Sequence, residues 1–226
     1  MCIRDRPQSV FPFEYSRRDN NPDMEAVDRL MAESVAEGSH FCLFACSNEP
    51  HGPWDKGDAS IYPPDKVILP PYIVDTPEIR KGFSAYLAEI TYYDSQVGQI
   101  LALLDKHGLK ENTLVMVVSE QGNSMPFAKW TCYGNGLQSA MIVRWPGHVK
   151  PGSTTSAMVE YADVLPTFIE VAGGSEVSGL DGESFVPVLA GTSNRHRNYV
   201  FGQVTTRGIN NCLLYTSPSP RDRTRS

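Results

Sequence analysis

Three places in the chain gather residue types that could act on a substrate. An imidazole sits between prolines in Pro50-His51-Gly52-Pro53, and histidine changes charge near neutral pH, so it can give or take a proton. A carboxylate and an amide stand side by side in Ser119-Glu120-Gln121-Gly122. Both present oxygens of the kind that hold a hard cation such as calcium. An ammonium follows at Lys129, in Phe127-Ala128-Lys129-Trp130, ahead of the turn Gly134-Asn135-Gly136. A cation and a lysine together suit an oxyanion with several negative oxygens. Taken singly, each has a plainer reading: a loop histidine, polar residues beyond a strand, a surface lysine.

The elements that must position these groups alternate between helix and strand. Asn21-Pro22-Asp23 predicts a helix start, with Asn21 as N-cap and Val27, Leu30, Met31 and Val35 on one face up to Gly38. His40–Cys46 reads as a buried strand, and the Pro-rich stretch 48–75 as a long loop of the functional kind. Thr76-Pro77-Glu78 opens the strongest helix, in which Phe83, Leu87, Ile90, Val97, Leu101 and Leu104 recur at three-to-four spacing until Gly108. Thr113–Val118 and Ala140–Trp145 read as further strands, Val159–Ala172 as a helix despite Pro166, and Val200–Val204 as a last strand. This order predicts an α/β domain with a mostly parallel sheet flanked by crossover helices. In such sheets ligands collect at the carboxyl ends of strands, where His51 and Glu120 both fall.

The two ends share a peculiarity. DNA that can encode Met1-Cys2-Ile3-Arg4-Asp5-Arg6 encodes Cys-Leu-Leu-Tyr-Thr, the run Cys212–Thr216, on its opposite strand. The pair resembles inverted transposon ends used as sequencing adapters. Residues 1–6 and 212–226 are therefore expected to be non-native, and only 7–211 are read for fold. That stretch holds 24 acidic and 15 basic residues, a net charge of −9 with histidine neutral, which argues against nucleic acid as a partner. No run approaches the ~18 apolar residues of a membrane span. Cys42 and Cys46, four apart on a predicted strand, would lie about 13 Å apart, beyond disulfide reach. With Cys132 left over, no disulfide framework and no compartment follow.

The ordered series resembles the sulfatase family, in the alkaline-phosphatase-like superfamily. It runs from Leu69-Pro70-Pro71 and Asp75-Thr76-Pro77-Glu78-Ile79-Arg80 through the three clusters to Arg144-Trp145-Pro146-Gly147. Asp163-Val164-Leu165-Pro166-Thr167 and Leu180-Asp181-Gly182-Glu183-Ser184 follow. The resemblance covers roughly residues 40–211 and implies a partial α/β sandwich that hydrolyses sulfate esters, by analogy on carbohydrates. It implies that His51 contacts the ester bridge oxygen, that Glu120 and Gln121 complete a calcium site, and that Lys129 binds a sulfate oxygen. The family pattern at the second cluster is Ser-Asp-His/Asn-Gly, so Ser119-Glu120-Gln121-Gly122 departs by one methylene at each of two positions, a shift that calcium's flexible shell can absorb. The family's nucleophile, a formylglycine made in a Cys/Ser-x-Pro-x-Arg motif, has no counterpart in residues 7–211, and neither has its first aspartate pair. The chain is thus expected to be an incomplete catalytic domain, inactive alone. A phosphodiesterase or phosphonate hydrolase of the same superfamily, and a non-catalytic binder of sulfated glycans, stay open as alternatives. His40, His107, His148 and His196 match no motif. Arg207 could touch an anionic substrate or serve as a capping or salt-bridge residue.

Overall fold

Asp23 starts the first helix: its carboxylate accepts from the amides of Glu25 and Ala26, satisfying two of the donors that a helix leaves unpaired at its start. The computed structural model describes residues 21–206 and 210–216. In it α1 runs Met24–Glu37, and Gly38 closes it in the left-handed conformation at φ 63°. The cap therefore lies two residues beyond the predicted Asn21, because the Asn21 side chain is engaged elsewhere, with Ser47 and Glu49. Val27 and Met31 are the buried part of the predicted stripe, while Val35 is exposed.

The second helix, α2, spans Pro77–Lys106, with Thr76 as N-cap and Pro77 in the first turn as the sequence predicts. It buries Phe83 and Leu104 but also Ser84, Ala88, Glu89 and Gln96, so its inner face is partly polar. The two helices pack together, and Asp28 of α1 meets both Lys106 and His107 at the end of α2, at 2.7 and 2.6 Å. The Lys106 ammonium, then His107, hold the Asp28 carboxyl below the usual carboxylate range. Residues 1–110 form one compact unit and residues 111–226 a second.

The predicted strand at His40–Cys46 is not formed. No ladder partner lies along it among the described residues, and Phe44 is 63% exposed. An apolar run becomes a strand only when a neighbour takes its backbone hydrogen bonds and a layer covers its side chains.

In the second unit β1 (Val115–Val118) pairs with β2 (Met141–Arg144), Val115 opposite Arg144 and Val118 opposite Met141. The pairing is antiparallel, not parallel as the element order predicts. The connection, 119–140, carries only the one-turn α3 (Gly134–Leu137), not a helix long enough to cross over a sheet. A turn at Tyr161–Asp163 leads into α4 (Val164–Val171), where Pro166 occupies the first turn and its missing N–H costs no helix bond. After α5 (Val186–Leu189), β3 (Val200–Thr206) and β4 (Asn210–Thr216) form an antiparallel hairpin. β4 thus includes Cys212–Thr216, which the sequence reading set aside. Arg207 and residues 1–6 lie outside the described residues.

No helix among the described residues is long and apolar enough to cross a membrane.

Candidate active site

The first site residue lies on a braced loop. His51 is exposed, and its Nδ1 is 2.7 Å from the carbonyl of Gly52. A carbonyl only accepts, so Nδ1 carries the proton and Nε2 is the nitrogen left to exchange one. The turn around it is closed by the Trp54 indole N–H, which donates to the Pro50 carbonyl at 3.2 Å. The Trp54 ring packs on Tyr86 of α2, centroids 5.5 Å apart.

Below the turn lies a group that the sequence reading left out. Glu89, on the inner face of α2, is 0% exposed, and its Oε1 accepts the Lys56 amide at 2.5 Å. It also meets the carboxyl of Glu49. Burial, and then the neighbouring Glu49 carboxyl, raise the Glu89 pKa, partly opposed by the backbone amides of Lys56 and Asp55. Glu49 is itself buried and accepts from Asn21 at 3.2 Å. A helical glutamate between apolar positions reads as solvated by default. The available hint was the small residues on the same face, Ser84 and Ala88, which leave room for another segment to come close.

The second unit carries the other three predicted residues on one folded loop. Glu120 follows β1 and is exposed, Gln121 is half-buried, and neither side chain makes a hydrogen bond among the described residues. Gly122 lets this turn pass against Asn135, where any Cβ would collide with the Asn135 carbonyl. The loop then folds back so that the Lys129 amide donates to Asn123 at 2.8 Å. The Lys129 ammonium lies 5.5 Å from the centre of the Trp130 ring. Glu120, Gln121 and Lys129 thus share one loop, while His51 belongs to the other unit.

As donors for a cation, Glu120 and Gln121 fit in kind, since both offer oxygen, but not in number. A calcium ion takes six to eight oxygens, and the described residues contain no cluster of three or more metal-binding side chains. A complete cation site therefore requires ligands beyond these two.

The two later motifs turn out to build a buried hub. Asp163 is 0% exposed and accepts from the amides of Glu160 and Glu183, both at 2.9 Å. It also pairs with Arg197, which reaches Glu160 as well, and faces His196 at 3.1 Å. The Thr167 hydroxyl donates to the Asp163 carbonyl at 2.7 Å and accepts the Phe185 amide at 3.1 Å. The motifs around Asp163 and Glu183 are thus two halves of one packing unit. His107 and His148 likewise serve structure, His107 against Asp28 and His148 stacked on Trp145 at 4.0 Å.

Comparison with known proteins defines the class to which this fold and these motifs belong. The sulfatase family model matches residues 5–175. The chain is 33% identical to an ulvan-active sulfatase of Formosa agariphila, an alignment taking in 97% of this chain and 43% of that protein. Among solved structures, one bound to its substrate D-glucosamine-2-N,6-O-disulfate superposes with a TM-score of 0.56 at 23% identity, over 65% of this chain and 33% of that one. A phosphonate monoester hydrolase of Silicibacter pomeroyi gives 0.63 at 22%, over 88% and 50%. This chain belongs to the sulfatase family, and its fold is a partial α/β domain of the alkaline-phosphatase-like type. It spans less than half the length of the ulvan-active relative.

Proposed function

We propose that this chain is the middle-to-late part of a sulfatase that hydrolyses sulfate esters of a carbohydrate. The observation that carries the reading is His51: an exposed imidazole whose Nδ1 is tied to a carbonyl, leaving Nε2 to act, in a chain of this family. The named substrates of its relatives, ulvan and sulfated glucosamine, favour a carbohydrate.

In this reading His51 acts as the imidazolium, its Nδ1–H held by the Gly52 carbonyl while its Nε2–H gives a proton to the bridging oxygen as the sugar hydroxyl departs, which general acid catalysis rewards with about 10²–10⁴ in rate. The Lys129 ammonium binds a non-bridging sulfate oxygen and offsets charge that develops there. Glu120 and Gln121 would supply two oxygens to a calcium ion, which when bound would polarise the sulfate. In the complete protein a formylglycine would supply the nucleophile.

Sequencing the native locus across both junctions, then expressing the complete protein, tests the proposal. An upstream Cys/Ser-x-Pro-x-Arg motif and sulfate release from ulvan or a sulfated glucosamine are expected. His51→Ala and Lys129→Ala should each lower kcat/KM at least about 100-fold. Turnover of a phosphonate monoester with no sulfate release would instead favour the phosphonate hydrolase. Glycan binding by calorimetry without either turnover would favour a non-catalytic binder.

A further inference from the structure

The turn that carries His51 is held at both flanks by one buried group. On its amino side Glu49 presents a carboxyl to Glu89, and on its carboxyl side the amide of Lys56 donates to Glu89. Two carboxyl groups can bond to one another only when one of them carries a proton. Around this group the approach is close: Gly57, at φ +70°, lies so near α2 that a Cβ would collide with the Ala88 carbonyl. Trp54 fills the space above Gly82 and leans on Tyr86. The loop is therefore docked on α2 by fit at its edges and by Glu89 at its centre.

We propose that Glu89 is a positioning residue for His51: its buried carboxyl lies against that of Glu49 and accepts the amide of Lys56. In this way it staples both ends of the Pro50–Pro53 turn to α2 and fixes the imidazole relative to the substrate. Nothing in this arrangement touches substrate, so Glu89 acts only through the loop. A glutamine at 89 retains the acceptor oxygen for the Lys56 amide and offers an N–H donor to Glu49. An alanine retains neither and leaves the Lys56 amide without its buried acceptor.

The catalytic part rests on the sulfatase reading of His51, and the test separates the two. In the complete protein, His51→Ala, Glu89→Ala and Glu89→Gln are assayed on two substrates. One is a sugar sulfate, whose alkoxide leaves poorly and needs a proton; the other is 4-nitrophenyl sulfate, whose phenolate leaves without one. Glu89→Ala is expected to lower kcat on the sugar sulfate by about 10–100-fold, part of the full effect of a general acid. KM and the rate on 4-nitrophenyl sulfate should change less than about threefold, and Glu89→Gln should restore most of the loss. Equal losses on both substrates, or no rescue by glutamine, would overturn the positioning role.

Amide hydrogen exchange at Lys56 decides the staple without reference to catalysis. Faster exchange there in Glu89→Ala, with α2 still protected, supports it, and unchanged exchange overturns it. If His51→Ala shows no dependence on the leaving group, the role given to His51 fails, and exchange alone then judges the staple.

Discussion

At the scale of single residues, two buried carboxyl groups behave in opposite ways because their partners differ. Asp163 is matched by the Arg197 guanidinium and two backbone amides. Removing its charge leaves Arg197 with Glu160 alone, and Asp163→Asn is expected to destabilise the complete protein by up to about 3–5 kcal/mol, read from denaturant midpoints. Thr167→Val keeps the shape but strips the acceptor from the Phe185 amide, so a loss of about 1–3 kcal/mol is expected by the same measurement.

Glu89 instead faces another carboxyl, and its pKa is raised. The folded state then holds its proton at pH values where the unfolded chain has lost it. Its contribution to stability is full below the ordinary glutamate pKa and falls as pH rises through the folded value. Glu89→Gln, which cannot ionise, is expected to flatten this decline, seen as a smaller drop in Tm between acidic and neutral pH than in the parent. An equal drop in both proteins would mean that Glu89 does not titrate in that window.

At the scale of elements, helix ends and loop edges follow local rules, while strands depend on their neighbours. Asp23→Ala removes the acceptor for two amides at the start of α1 and is expected to cost about 1 kcal/mol. Gly57→Ala demands both a left-handed φ and space occupied by the Ala88 carbonyl. It should free the loop 50–57 from α2 and speed amide exchange at Lys56, without changing exchange in α1.

At the scale of the molecule, much apolar surface is uncovered. Ile68 is 89% exposed, Trp130 72% and Ile142 68%, and the β1–β2 ladder has two strands only. Two-stranded ladders are marginal by themselves, and bare edges and apolar patches invite association. Expressed alone, residues 7–211 are expected to bind a hydrophobic dye and to aggregate or melt without a sharp transition. A cooperative melt of a monomer would overturn the view that this stretch is an incomplete domain.

The sequence by itself determined what depends on near neighbours. Thr76-Pro77 at the start of α2, Gly38 after α1 and Pro166 in the first turn of α4 are local backbone chemistry. The ordered motifs likewise carried the family. Only the tertiary structure decided what depends on distant partners. It placed His40–Cys46 in no strand among the described residues, paired β1 with β2 antiparallel, and joined the motifs around Asp163 and Glu183 into one hub. It also drew Glu89 under the His51 turn from a position 38 residues later in the chain. A helical pattern records which face is inward, but not whether a loop's amides or a solvent layer will meet it there. That difference decides whether a glutamate is a surface charge or a buried staple.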